Sequence, residues 1–437
     1  MSKIAILNQE LIELDKKHFL HPTSAIQQQQ TQGPAFIFTK GEGVYLEDVN
    51  GNRVIDGMSS LWNVNIGHGR KELGQAAMEQ MNKLAFSSCF ATFSNEPVIR
   101  LAAKIAEITP GNLSATFFTS GGSEANDTAY KLARHYWILK GQPKKKKIIS
   151  RSRSYHGVAM GATSATGLKP FRDFTNSLAP DFYHVDNLSA QALREVIEAE
   201  GPETIAAFVA EPVQGAGGVH IGSKDYFKEV REICNHYNIL LITDEVITGF
   251  GRTGRAFGIE HYGVTPDMMC FAKGVTSGYA QLGGVVFSEP IYEGFKELSV
   301  GTLLHGYTYS GHPMACAVAL KNIEIIENEN LIDNAQKMGE EMLNGFKWVQ
   351  TERNLVGEVR GLGLMGAVEI ESNQFSQGPL APLIVNEAAR RGLICRSVVF
   401  DGMDTLVFAP PLIINKQEID SMIEILNDSI NTIEQKL

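Results

Sequence analysis

Leu240-Leu241-Ile242-Thr243-Asp244-Glu245-Val246 sets two acids directly behind an apolar run, and Met268-Met269-Cys270-Phe271-Ala272-Lys273-Gly274 repeats the pattern with a lysine. A short apolar run bounded by polar or turn residues reads as a strand buried on both faces. Outward from this pair, further candidate strands are Ala115 to Phe118, Lys147 to Ser150, Phe182 to Val185, Ile205 to Ala210 and Leu282 to Phe287. Glu124 to Leu139, Ser189 to Ala199 and Tyr226 to Tyr237 carry helical periodicity between them. Such alternation predicts an α/β fold with a mostly parallel central sheet. Ligands on such a sheet bind beyond the carboxyl ends of its strands, where Asp244 and Lys273 fall.

Before this region, Val44 to Asp48 and Arg53 to Asp56 read as a hairpin around Asn50-Gly51-Asn52. After it, a long helix is expected from about Gly311 to Glu327, followed by a mixed α/β segment. The expected organisation is a large domain over 66–310 and a smaller α/β domain over 311–437. The segment 1–65, with the hairpin, is expected to contribute to the smaller one.

The chain has 437 residues, 43% hydrophobic and 20% charged, with a net charge of −10. That balance suits a soluble globular protein and argues against general affinity for nucleic acid or anionic membrane. The Lys144 to Lys147 cluster precedes a strand and reads as a solvated loop. Five cysteines, Cys89, Cys234, Cys270, Cys316 and Cys395, lack metal-ligand spacing and cannot all pair internally. No metal site is expected, and a reducing cytoplasmic setting fits. The first residues lack the pattern of a signal peptide, and no apolar stretch is long enough to span a membrane. Gln27 to Gln30 reads as polar loop, with no function legible.

Phe118-Thr119-Ser120-Gly121-Gly122-Ser123-Glu124 runs a strand through two glycines into a helix. Free amides at a helix start favour a phosphate, and glycine lets the backbone approach it. Taken alone, the segment serves equally well as a helix cap. Gly249-Phe250-Gly251-Arg252-Thr253-Gly254 matches a dinucleotide fingerprint, but the closely spaced glycines that follow prevent a steady helix, and acids precede it. For Asp244 a helix cap and for Lys273 a solvated surface residue are the ordinary readings when each stands alone. A lysine leaving a buried strand into Gly274-Val275-Thr276-Ser277-Gly278 also suits an amine in a partly dry cleft, where desolvation makes it a nucleophile.

Together these segments resemble the class III aminotransferases, pyridoxal-phosphate enzymes of fold type I, and within them the omega-amino acid:pyruvate group. The likeness runs from about Gly41 to Leu412. It rests on Ser59 to Asn63, Phe118 to Asn126, Tyr155-His156-Gly157, Glu211 to Gly218, Asp244-Glu245-Val246, Ala272-Lys273-Gly274, His305 to Pro313 and Ala409 to Leu412. It implies a fold type I transferase in which 66–310 binds pyridoxal 5'-phosphate and Lys273 carries the cofactor as a Schiff base. Asp244 would hold the pyridine nitrogen, and Gly122 and Ser123 the phosphate. Thr308 would reach that phosphate from a partner subunit. Tyr155 and Val246 would sandwich the ring, although ordinary core packing explains either residue alone. Trp62, Phe90 and Ala216 resemble donor-pocket positions. Arg396 would grip a substrate carboxylate and otherwise turn away or pair with Glu211; the stretch Ser397 to Asp404 behind it is longer than usual in the family.

The implied activity moves an amino group from an omega-amino acid or amine to a keto acid, pyruvate above others. A homodimer or dimer of dimers is implied. Diaminopelargonate-forming relatives carry a Trp-Trp pair where this chain has Trp62-Asn63, which ranks that activity lower; taurine:pyruvate and 4-aminobutyrate transaminases remain alternatives. A non-enzymatic regulator sensing the cofactor would need a DNA-binding segment, and none is visible.

Overall fold

The central apolar runs form strands because each finds hydrogen-bonding neighbours while both its faces are covered. The computed structural model describes residues 3–372 and 378–437. Seven strands make one sheet, in the spatial order Leu113–Thr119, Gly283–Ser288, Met268–Phe271, Leu240–Asp244, Ile205–Ala210, Lys147–Arg151, Phe182–Val185. Every residue of Ile205–Ala210, Leu240–Asp244, Met268–Phe271 and Gly283–Ser288 is buried. Alternate residues serve opposite faces: Leu240 and Ile242 pack with the Gly122–Leu139 helix through Ala129, Tyr130 and Ala133, whereas Leu241 joins the other core with Phe227 and Val230 of the Tyr226–His236 helix. Polar alternation is therefore missing from the sequence of these strands.

Neighbouring strands run parallel from Met268–Phe271 through Phe182–Val185. Gly283–Ser288 is the exception, antiparallel to both its neighbours. A parallel crossover needs a dozen or more residues, commonly a helix. Residues 272–282 instead form a 3-10 turn at Lys273–Val275 and further turns, so the chain doubles back.

The expected hairpin is present as Tyr45–Asp48 and Arg53–Asp56, but it is the middle of a larger sheet. Phe38–Glu42 adds on one side, and Leu393–Ile394 runs parallel to Arg53–Asp56 on the other. The C-terminal segment builds an antiparallel sheet in the order Val356–Leu362, Met365–Ile370, Thr405–Phe408, Arg396–Val398. The long helix spans Pro313–Asn328.

Two local expectations fail: Gln27 to Gln30 lies within the helix Ile26–Gln32 rather than in a loop, and the Lys144 to Lys147 cluster is not solvated throughout. Lys145 is buried at 4% exposure, its ammonium donating to the Asn238 carbonyl at 2.6 Å and lying 4.5 Å over the Trp137 ring. Carbonyls of Pro202, Ile205 and Tyr237 at 3.4 Å replace the lost water. The glycines of 249–254 make turns, with Gly251 and Gly254 at φ +93° and +80°, and lead to a 3-10 helix at Gly258–Tyr262 rather than a dinucleotide-binding helix. Among the described residues no helix is long and apolar enough to cross a membrane.

Candidate active site

The carboxyl ends of five neighbouring segments open into one cavity of about 630 Å³, a size that suits a small ligand. Lys273 lines it, one residue beyond the end of Met268–Phe271 and its Ala272 cap. Its φ of +46° lies in the left-handed region, which a side chain with a Cβ seldom adopts. Such strain persists only where surrounding structure holds it. Burial pulls the Lys273 amine down to about 8, against the opposing pull of Asp244 and Glu211. A large neutral fraction near that pH makes the amine nucleophilic.

Asp244 ends the next strand and is 3% exposed. Its Oδ2 accepts from Asn126 Nδ2 at 2.8 Å and lies 2.8 Å from His156 Nδ1, while Oδ1 accepts from the Val246 amide at 3.0 Å. A buried carboxylate held on several sides is fixed in place and orientation. Asn126 and His156 were quoted among the family motifs without a role, and their contacts with Asp244 are the part of the site that sequence reasoning missed. The signal was present: Asn126 lies within one helical turn of Gly122 and so must stand at the same end of the sheet.

Gly122 and Ser123 begin the Gly122–Leu139 helix and line the cavity with their amides at its N-terminus. Gly157 explains the third residue of Tyr155-His156-Gly157. A Cβ there would stand 2.2 Å from Ser123 Oγ, and its φ is +110°. Only glycine lets the Tyr155 loop close over the helix start, where the Val158 amide donates to Ser123 Oγ at 3.1 Å. Gly122 likewise makes room for Val246, whose methyl carbon would meet a Cβ at 2.8 Å.

Tyr155 stands edge-on to Phe171, with ring centroids 5.3 Å apart. Its amide donates to Glu211 Oε2 at 3.1 Å. Arg396, at the start of Arg396–Val398, reaches the cavity together with Trp62, Ala216 and Glu211. The pairing of Arg396 with Glu211 expected from sequence is not formed. Burial pushes the Glu211 carboxyl up to about 7, and it takes the Tyr155 and Gly215 amides instead.

Ten of the twelve expected residues thus share one cavity: Lys273, Asp244, Gly122, Ser123, Tyr155, Val246, Trp62, Ala216, Glu211 and Arg396. Phe90 and Thr308 do not. Phe90 is 49% exposed and packs against Gly306, two residues before the exposed Thr308. Pro22 and Thr23, from a segment whose role the sequence left unread, also line the cavity.

A buried reactive lysine, a fixed carboxylate across the cavity and a helix N-terminus define a pyridoxal-phosphate enzyme of fold type I. The donor set fits that cofactor: an amine for its carbonyl, an acid for its ring nitrogen and free amides for its phosphate. A profile of the family described as Aminotransferase class-III matches residues 26–430, and the chain belongs to that family. A transaminase from the marine bacterium Virgibacillus is 55% identical in sequence, with a TM-score of 0.96 over 98% of this chain and 99% of that one. An (S)-enantioselective omega-transaminase from Thermomicrobium roseum is 45% identical, with a TM-score of 0.93 over 97% of this chain and 98% of that one. The putrescine–pyruvate aminotransferase of Pseudomonas aeruginosa is 41% identical over 94% of this chain and 93% of its own. The protein is a pyridoxal-phosphate-dependent aminotransferase that moves an amino group from an amine donor to a keto acid.

Proposed function

We propose that the acceptor is pyruvate and that the donor is an amine carrying no carboxylate on its reacting carbon, such as an omega-amino acid or a diamine. The observation that carries this reading is the placement of Arg396, the one arginine among the described residues lining the cavity, at a site otherwise walled by Trp62, Phe171 and Phe400. A guanidinium grips a carboxylate through two parallel charge-assisted hydrogen bonds, which suits a keto acid. Since Glu211 does not hold Arg396, the arginine is free to turn aside for a donor that lacks the carboxylate. The putrescine–pyruvate relative supports this pairing of substrates.

In the mechanism, the Lys273 amine would hold the cofactor and would move the proton at the substrate carbon. Bound pyridoxal phosphate supplies a ring that accepts the electron pair left when that carbon loses its proton. Asp244, held by Asn126, His156 and the Val246 amide, keeps a proton on the ring nitrogen. Gly122 and Ser123 anchor the phosphate, Tyr155 and Val246 fix the ring plane, and Trp62 and Ala216 shape the donor pocket. The working unit is a homodimer, in which the exposed Phe90 and Thr308 of each chain complete the other's site. Exposed Phe86, Phe90, Phe93, Leu304 and Tyr309 in the same two stretches favour this, because contiguous exposed apolar side chains mark an interface. The division at 65 and 310 places the Leu393–Ile394 pairing with Arg53–Asp56 inside the smaller domain. The five free cysteines suit a cytoplasmic location.

A panel of donors run with pyruvate and with 2-oxoglutarate tests the substrate assignment. The reading expects pyruvate to support turnover of putrescine or an omega-amino acid at least about tenfold better than 2-oxoglutarate does. A preference for 2-oxoglutarate across the panel overturns it.

A further inference from the structure

The segment Gly249 to Gly254, whose turns lead to a 3-10 helix rather than a dinucleotide-binding one, holds a fully buried arginine. Arg252 is 0% exposed and forms no salt bridge to a carboxylate among the described residues. Its Nη donors go instead to four neutral acceptors from three distant parts of the chain. Nη1 donates to the carbonyls of Leu364 at 3.2 Å and Pro410. Nη2 donates to Ser59 Oγ at 3.0 Å and Asn65 Oδ1 at 2.8 Å. Burying a charge without a counter-ion is costly, so its retention calls for a use. Burial does press against this charge, and Asp56 is the acid that supports it.

Each of the two side-chain acceptors leads to a different wall of the active site. Asn65 passes the contact on through Nδ2, which donates to the Phe250 carbonyl at 2.9 Å. The same Nδ2 backs against Gly274, where a Cβ would stand only 2.5 Å away. Gly274 is the residue after Lys273, whose left-handed turn needs outside support. Ser59 passes it on differently: its Oγ donates to the Ala409 carbonyl at 2.7 Å, and it opens a run in which Ser59, Ser60 and Trp62 have φ of +46°, +57° and +62°. Ser60, Leu61 and Trp62 then line the cavity. Each strained turn also has a local support, the first from Asn322 Nδ2, which donates to the Gly274 and Val275 carbonyls at 2.8 and 3.0 Å, and the second from the Asp56 carboxylate, which accepts from the Ser60 amide at 2.9 and 2.7 Å; this arginine is the group whose hydrogen bonds reach towards both.

We propose that Arg252 is a positioning residue that fixes two things at once, the Lys273 turn through Asn65 and the donor-pocket wall of Ser60 to Trp62 through Ser59. The inference rests on the roles assigned above to Lys273 and Trp62. A planar guanidinium reaches four acceptors in fixed directions, which the point charge of a lysine cannot.

Three variants separate the branches: Asn65→Ala, Ser59→Ala and Arg252→Lys. In single-turnover reaction with an amine donor, Asn65→Ala lowers the saturating rate about tenfold to a hundredfold, since small misplacement of a reacting group has that effect. Its half-saturating donor concentration changes less than about twofold. Ser59→Ala does the reverse, raising the half-saturating concentration about fivefold or more with little change in saturating rate. Arg252→Lys shows both. The rate at which the cofactor-free protein couples with pyridoxal phosphate, followed by absorbance, drops in Asn65→Ala and Arg252→Lys but not in Ser59→Ala. If all three lose rate and affinity together in step with their melting temperatures, the network is only structural and the proposal is wrong. Native coupling and turnover in Asn65→Ala overturn it too. Should Arg252→Lys fail to fold, the opposite signatures of the other two decide the matter. Should the Lys273 assignment itself be wrong, Lys273→Ala still couples and turns over, which is a separate result.

Discussion

At the residue scale, Lys273 joins a strained backbone to an amine whose protonation burial opposes. Its lowered value, about 8 against 10.5 in an unfolded chain, gives two signed consequences. The neutral amine is the form that attacks a carbonyl, so coupling of pyridoxal phosphate to the cofactor-free protein rises with pH and levels off above about 8. Stopped-flow absorbance from pH 6 to 9 checks this: a fall of about tenfold per unit below the bend is expected, and a flat profile contradicts it. Between about 8 and 10.5 the unfolded chain binds the lysine's proton and the folded one does not, so this group contributes rising stability with pH in that window. Asp244 was legible as a strand-end acid, but its fixation was not. His156 and Asn126 come from other segments, and only folding shows that they meet on one carboxylate oxygen. Replacing His156 by Phe, of similar size, removes one of the two side-chain hydrogen-bond partners of Asp244. The donor half-reaction is expected to slow about tenfold to a hundredfold with cofactor still bound, as measured by single-turnover absorbance.

At the element scale, the strands were readable because a doubly covered parallel sheet leaves near-continuous apolar runs. The reversal at Gly283–Ser288 was not, since antiparallel and parallel partners look alike in sequence when both faces are buried. Leu393–Ile394 escaped notice because two residues carry no period. Lys145 was misread because its partners are backbone carbonyls, which have no signature in composition. The turn after Asp244 gives a test of packing. Glu245 is fully buried, accepts from Thr248 Oγ1 and from the Gly258 and Ile259 amides, and burial pushes its carboxyl up to about 7 from an ordinary 4.5. Above about 4.5 the unfolded chain releases this proton while the folded one keeps it, so stability falls as pH rises towards 7. Glu211 adds to the same trend. Half-buried His184 and His220, held down to about 4, act in the opposite direction between about 4 and 6.5, so the Glu245 contribution is read as a difference: in thermal melts of the cofactor-free protein from pH 5 to 7.5, Glu245→Gln should lose less stability with rising pH than the parent does. An unchanged slope in the variant means that Glu245 makes no such contribution. The tight closure at Gly157 predicts that Gly157→Ala loosens cofactor binding by about tenfold or more, since both its positive φ and its contact with Ser123 forbid a methyl group. Equilibrium dialysis against pyridoxal phosphate reads it.

At the scale of the whole molecule, the cavity gathers residues from the N-terminal segment, the central sheet and the C-terminal sheet, from Pro22 to Phe400. The long stretch behind Arg396 left its alignment open in the sequence, and the edge strand Arg396–Val398 delivers it to the cavity all the same. Phe90 and Thr308 stay outside the cavity of a single chain, so the account requires a second copy. Sedimentation should find the active species to be at least dimeric, and Thr308→Ala should weaken cofactor binding; a fully active monomer rules this out. The account as a whole turns on one pocket serving two unlike substrates through Arg396. The decisive measurement is therefore Arg396→Ala in separate single-turnover experiments, the donor half-reaction with an amine lacking a carboxylate on its reacting carbon and the acceptor half-reaction with pyruvate. The account predicts a near-native donor rate and a pyruvate rate lower by about a hundredfold or more, whereas equal losses in both, or no loss in either, would contradict it.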